Sequence, residues 1–227
     1  MTFFLRIFLI ASLLSGCVDF AVNHDKTKQL PQRTSVNRHS PGEIYTMRGG
    51  LGGIFSKGMN RLESTLENDN DIPALSTVWF KGGPLSKDIM RHYDDNRSHR
   101  PIILAGHSLG ANEQINIART LNKKNIPVAL LITVDPVIPA TIPPNVCRAI
   151  NFYKSSFVPL LSGLRVRADN PQRTHLENID VTRLPGVKVN HFNIDSSPVI
   201  QQRMLKEVIQ ALNHPRADCV SHAKISK

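Results

Sequence analysis

From Gly42 onward the apolar positions come in short runs whose period switches between two and about 3.6, which predicts alternating strands and helices. Residues 44–47 form a β-prone run that meets the glycine-rich stretch Arg48-Gly49-Gly50-Leu51-Gly52-Gly53. Residues 56–67 place Met59, Leu62 and Leu66 on one helical face. Residues 74–80 read as a strand ending at Gly82-Gly83-Pro84, and Leu85, Ile89 and Tyr93 mark a second amphipathic helix. Residues 101–105 form an apolar strand that runs into Gly106-His107-Ser108-Leu109-Gly110. A helix follows to about Lys123, with Ala111, Ile115, Ala118 and Leu121 facing inward. Val128–Val134 is almost wholly apolar, as a strand buried on both faces should be, and it stops at Asp135-Pro136. Residues 149–153 offer a further strand. The stretch 155–190 is broken by Pro and Gly, and within it residues 175–181 are a candidate for the last strand. Ser197 and Pro198 give an N-cap and a first helical position. The final helix carries Ile200, Met204, Leu205, Val208, Ile209 and Leu212 and closes at Asn213-His214-Pro215. The fold class this order predicts is α/β, a mostly parallel sheet flanked by helices.

Length and composition narrow the picture little further. The chain has 227 residues, 41% of them apolar and 20% charged, which suits one globular domain and excludes a disordered chain. The predicted domain spans 42–215, followed by a tail at 216–227. The N-terminus is different in kind. One Arg precedes an apolar stretch too short to span a bilayer, and the stretch ends at Leu14-Ser15-Gly16-Cys17. This tetrapeptide resembles the lipobox of bacterial lipoproteins. The resemblance implies a signal peptide over 1–16, cleavage before Cys17 and a lipid on that cysteine, placing the protein in the cell envelope. The polar residues 17–41 then read as a tether.

Charge and cysteines follow from that processing. Removal of 1–16 takes one Arg from the 28 basic residues, leaving 27 − 18 = +9. Such a surface attracts anionic head groups, glycans or nucleic acid without choosing among them. No zinc-finger, aromatic-interleaved or P-loop pattern accompanies it, so no specific nucleic acid, metal or cofactor is expected. Of the three cysteines, acylation of Cys17 leaves Cys147 and Cys219 as a candidate disulfide.

The chemistry is concentrated in Gly106-His107-Ser108-Leu109-Gly110, which matches G-x-S-x-G between an apolar strand and an amphipathic helix. A strand-to-helix turn this tight strains the serine backbone, and glycines two residues away on either side remove side chains that would collide. A phosphate-binding turn would use a different glycine spacing and a lysine that is missing here. With Ala111 added, the motif resembles the nucleophile elbow of α/β-hydrolase thioesterases, lipases and esterases, and the order of elements from Gly42 to Asn213 extends the likeness. The resemblance implies Ser108 as nucleophile, followed along the chain by an acid and a histidine.

For the acid, Asp135 lies at the end of the strand after the nucleophile helix, the position that the thioesterase-like branch uses. Asp169 and Asp180 are rivals one strand later. For the base, His191 lies on the loop before the last helix, where the family keeps its histidine. His175 sits in a candidate strand and His214 at a helix end, and His107 is expected to point away from Ser108 and pack. The family model assigns one oxyanion donor to the Leu109 N–H and implies a second in the glycine-rich turn, at Leu51 or its neighbour. The chain departs from the family in lacking a recognisable first hairpin, and residues 155–190 are its candidate for a lid. The expected activity is serine-dependent hydrolysis of a small-molecule or lipid ester, with a thioester less suited to the envelope. An inactive hydrolase-fold lipoprotein that binds a lipid, glycan or polyanion is the alternative.

Overall fold

The computed structural model describes residues 41–50, 56–95, 100–155 and 163–214. Within them, β1 (Glu43–Arg48), α1 (Lys57–Ser64), β2 (Ala74–Val78), α2 (Gly82–Asp95), β3 (Ile102–His107), α3 (Leu109–Asn122) and β4 (Val128–Val134) follow in turn. They are succeeded by β5 (Thr141–Ile142), β6 (Val146–Tyr153), β7 (Arg167–Ala168), β8 (His175–Asp180) and α4 (Pro198–Asn213). Six strands form one sheet in the order β2-β1-β3-β4-β6-β8, and β5 and β7 form a two-stranded ribbon. Every pairing is parallel.

Alternation along the strands divides the core into two layers. Ile44, Ile103, Leu130 and Ile150 point to one face, where Met59 and Leu62 of α1 and Ile200, Met204 and Val208 of α4 cover them. Their neighbours Tyr45, Leu104, Leu131 and Ala149 point to the other, beneath Leu85 and Ile89 of α2 and Ile115, Ala118 and Leu121 of α3. This period of two explains why Val128–Val134 is apolar throughout: each of its residues is buried, whichever way it points. Each fully buried aliphatic side chain of this kind contributes about 1.5–3 kcal/mol.

Several boundaries differ from the sequence reading. The second strand stops at Val78, and Trp79–Lys81 forms a 3-10 turn that leads directly into α2 at Gly82. Gly82-Gly83-Pro84 thus opens a helix, with Pro84 in the first turn, where a missing N–H costs nothing. The helix after Ser56 changes at Thr65 into a π-helical turn, Thr65–Asp69. Ser197 stands at the N-cap of α4, but its hydroxyl caps no N–H. Of the α4 stripe, Leu205 and Ile209 are only half-buried, whereas Glu207 is buried and pairs with Arg148 of β6 at 2.6 Å and Arg203 at 2.5 Å. The described parts of 155–190 are tied to the sheet: β8 pairs with β6, and Asn178 exchanges two hydrogen bonds with the Val166 backbone, each of 3.0 Å.

Register aligns the carboxyl ends of the central strands. Met47 pairs with Gly106, His107 with Val134 and Val134 with Phe152. The ladders continue one residue further, with Ser108 N–H donating to Val134 O at 2.9 Å and Asp135 N–H to Phe152 O at 2.7 Å. Ser108 and Asp135 are therefore brought to the same edge of the sheet by backbone pairing alone.

Candidate active site

Ser108 turns the chain from β3 into α3 with φ 58° and ψ −128°, a region that costs a non-glycine residue about 1–3 kcal/mol. The flanking glycines make this turn sterically possible. A Cβ on Gly106 would lie 2.5 Å from Gly110 O, and one on Gly110 would lie 2.5 Å from Met47 O of the neighbouring strand. The strained turn raises the Ser108 hydroxyl from the sheet edge, 3.0 Å from His191 Nε2.

The other side of the imidazole completes the chain of bonds. His191 Nδ1 lies 2.8 Å from Asp135 Oδ2. A carboxylate can only accept, so Nδ1 carries the proton and Nε2 is left as an acceptor for Ser108. Asp135 is itself at positive φ, 50°, and fully buried. Its second oxygen accepts the Lys154 N–H at 2.7 Å. Both carboxylate oxygens are thus occupied, which fixes the plane in which His191 is held.

Three of the sequence-predicted residues, Ser108, Asp135 and His191, meet at one edge of the sheet. The rivals do not. Asp169 is exposed. Asp180 turns to Thr182, whose N–H and Oγ1–H it accepts at 3.0 and 2.7 Å; these bonds and nearby Arg183 hold its carboxyl below the ordinary range. His175 and His214 are exposed on β8 and after α4. Leu109 opens α3, so its N–H has no intrahelical acceptor and stands beside Ser108 at the positive end of the helix dipole. Leu51 lies outside the described residues, as do Cys17 and Cys219. The start of its turn is described and is close: a Cβ on Gly49 would lie 2.7 Å from Ser108 Cβ, and one on Gly50 3.2 Å from Leu109 Cδ1. Cys147, buried in β6, is disulfide-bonded.

Several contributors were missed in the sequence reading. Gly163 abuts Asp135, and any Cβ there would overlap Oδ1 of the carboxylate. Asn112, on the first turn of α3, donates to Ile138 O at 2.6 Å and accepts from Val137 N and Ile138 N at 3.0 and 3.1 Å. It clamps the chain leaving Asp135 to α3. A polar residue beside the inward-facing Ala111 was the available hint. Among the described residues, no group of three His, Cys, Asp or Glu side chains could hold a metal ion.

His107 is more than the packing residue its position implied. It is fully buried, with Nδ1 2.8 Å from Ser56 Oγ and Nε2 2.8 Å from His191 O. Burial, reinforced by nearby His191, holds its pKa down at about 3, so the ring is neutral at physiological pH.

No family model matches the sequence, and no curated protein matches it. Among solved structures the chain is similar to the RedJ thioesterase of the prodiginine pathway in Streptomyces coelicolor, at 11% identity over 75% of this chain and 86% of that one, with a TM-score of 0.42. It is also similar to a cutinase-like protein from Cryptococcus sp., at 14% identity over 76% and 96%, TM-score 0.42. A third is YbtT, a type II thioesterase of yersiniabactin biosynthesis, at 12% identity over 82% and 97%, TM-score 0.41.

Proposed function

We propose that this protein is a serine hydrolase of the α/β-hydrolase type that cleaves carboxylic esters through an acyl-enzyme, with Ser108 as nucleophile, His191 as base and Asp135 as the orienting acid. The observation that carries the reading is the unbroken Ser108–His191–Asp135 chain, with contacts of 3.0 and 2.8 Å at the carboxyl edge of a parallel sheet. His191 Nε2 takes the Ser108 proton as Oγ attacks the acyl carbonyl. Asp135 holds the tautomer and stabilises the imidazolium that results. The tetrahedral oxyanion is met by the Leu109 N–H and by a second donor in the turn that begins at Gly49, with Leu51 the candidate. The imidazolium then returns the proton to the leaving alkoxide. Water, deprotonated by the same histidine, releases the acid and restores Ser108.

The proposed setting is the bacterial envelope, facing the periplasm or exterior through a lipid on Cys17. That setting favours oxygen esters of lipids, glycans or small molecules over carrier-bound thioesters. A fluorophosphonate probe tests the nucleophile directly. Labelling of the wild type that vanishes in Ser108→Ala supports the reading, and a folded wild type that resists labelling overturns it. Turnover of p-nitrophenyl esters of graded chain length, set beside a thioester, then ranks the substrates.

A further inference from the structure

We infer that His107, with Ser56, is a positioning unit that fixes the base of the proposed reaction relative to the nucleophile. The inference rests on the reading of Ser108 and His191 given above and adds two residues to it. Its basis is a buried series of bonds joining three separate stretches of chain. The Gly49 N–H donates to Ser56 Oγ at 2.9 Å. The Ser56 hydroxyl in turn lies 2.8 Å from His107 Nδ1, and His107 Nε2 lies 2.8 Å from His191 O.

The proton assignments in this series are forced. A backbone carbonyl can only accept, so His107 carries its proton on Nε2. With Ser56 Oγ already accepting from Gly49, its own proton is free to go to the unprotonated Nδ1. Each partner is satisfied once, and only one tautomer allows it. The ring's low pKa, about 3, leaves this arrangement uncharged across the neutral range, so no second cation opposes the imidazolium forming 5.1 Å away on His191.

The loop carrying His191 explains why such a tie matters. Apart from the bonds of the His191 side chain to Asp135 and Ser108, the other hydrogen bonds that its backbone makes among the described residues are local: Asn190 N donates to Asn193 Oδ1 at 2.7 Å, Phe192 N to Asn190 Oδ1 at 2.9 Å, and Ile194 N to Asn190 O at 3.0 Å. These shape the turn, and Ile194 seats its far end in the core. The bond from His107 ties the backbone at His191 itself to the sheet, and it comes from the residue whose peptide bond leads into Ser108. The backbone of the base is therefore referenced to the backbone of the nucleophile across a single side chain. Gly49, at the other end of the series, opens the turn expected to supply the second oxyanion donor.

Ser56, His107 and the nearby Asp195 do not form a second catalytic triad. Asp195 Oδ2 lies 3.8 Å from Nδ1, the nitrogen that Ser56 already uses, and all three side chains are buried. The Asp195 carboxyl instead accepts from Ser196 Oγ–H at 3.4 Å with Oδ1, and its burial raises its pKa to about 6.

The test uses the full chain with p-nitrophenyl butyrate as substrate and His107→Leu, His107→Gln and Ser56→Ala as variants. A glutamine side chain can place an N–H donor where Nε2 stands, and leucine cannot. Displacing the base by a fraction of an ångström to 1 Å lowers kcat by about 10- to 100-fold, because the productive geometry is lost rather than substrate affinity. The expected pattern is that loss in His107→Leu and Ser56→Ala with KM nearly unchanged, and recovery of most of kcat in His107→Gln. A second readout needs no turnover: the far-downfield proton resonance of His191 Nδ1–H should persist in His107→Gln and broaden or vanish in His107→Leu. A folded His107→Leu or Ser56→Ala protein with wild-type kcat and an intact resonance overturns the inference, as does a glutamine variant no better than leucine. If the wild type hydrolyses no ester, the proposed function fails on its own account, and the resonance still decides whether His107 positions His191.

Discussion

Replacement of Asp135 by Asn is the sharpest test of the proton assignments in the site. Asp135 accepts from Lys154 N–H with Oδ1 and from His191 with Oδ2, at 2.7 and 2.8 Å, and is fully buried. An asparagine can satisfy only one of these donors with its oxygen. If the oxygen stays on Lys154 N–H, the amide NH2 faces His191 Nδ1 and forces that nitrogen to become an acceptor. The imidazole proton then moves to Nε2, where it points at Ser108 Oγ and blocks proton removal. If the amide flips, two N–H groups oppose each other at Lys154, an arrangement costing about 1–3 kcal/mol in a buried setting. The first orientation is therefore favoured, and it carries the wrong tautomer. The expected loss is on the order of 10⁴ in kcat, or about 5 kcal/mol of transition-state stabilisation, with near-native folding. Steady-state kinetics on a p-nitrophenyl ester, with circular dichroism as the folding control, provides the measurement. Asp169→Asn and Asp180→Asn should retain wild-type rates, since the first side chain is exposed and the second faces Thr182. An active Asp135→Asn enzyme, or an equal loss at either rival, would refute the reasoning.

Three further outcomes follow from the same coordinates. Gly163→Ala places a methyl group against Asp135 Oδ1 and should lower kcat by about 100-fold by tilting the carboxylate, with the secondary structure unchanged by circular dichroism. His107 titrates at about 3 in the fold against its ordinary 6.5, so its contribution to stability is complete above pH 6.5 and is lost as pH falls toward 3, by up to about 5 kcal/mol. Asp195, raised from 3.8 to about 6, acts in the opposite sense, adding up to about 3 kcal/mol as pH falls from 6 to 4. Urea unfolding at pH 7 and pH 4.5 should therefore show a smaller acid loss in His107→Gln than in the wild type; equal losses would count against a buried, neutral His107. Finally, peptide mapping without reduction should recover Cys147 joined to Cys219, and Cys147 joined to Cys17 or found as a free thiol would rule that pairing out.

Most of the elements, and the serine on the tight turn after β3, were legible along the chain alone. The alternation of Ile44 with Tyr45, or of Leu130 with Leu131, is a local pattern that assigns residues to two faces before any partner is known, because side-chain direction in a strand has a period of two. Gly106 was legible for a similar reason: the clash it avoids, with Gly110 O, lies within one turn of backbone, whereas the clash Gly110 avoids is with Met47 O of the neighbouring strand. The choice of Asp135 over Asp169 and Asp180 was only partly legible, since it depends on which strand ends lie side by side. Register between β3, β4 and β6 brings Asp135, and neither rival, to the edge where Ser108 stands.

The support around the site came into view only with the folded chain. Gly163 resembles any loop glycine until Asp135 is found against it. Asn112 and Ser56 resemble ordinary helix-start residues until Ile138 and His107 come within reach. His107 read as packing because a sequence gives a side chain's neighbours along the chain and not the atoms that face it. Its partner, the His191 carbonyl, lies 84 residues away. Hydrophobic period is written into each segment, whereas a hydrogen bond between distant segments exists only once the whole chain has chosen its register, and that is why the first could be read and the second had to be seen.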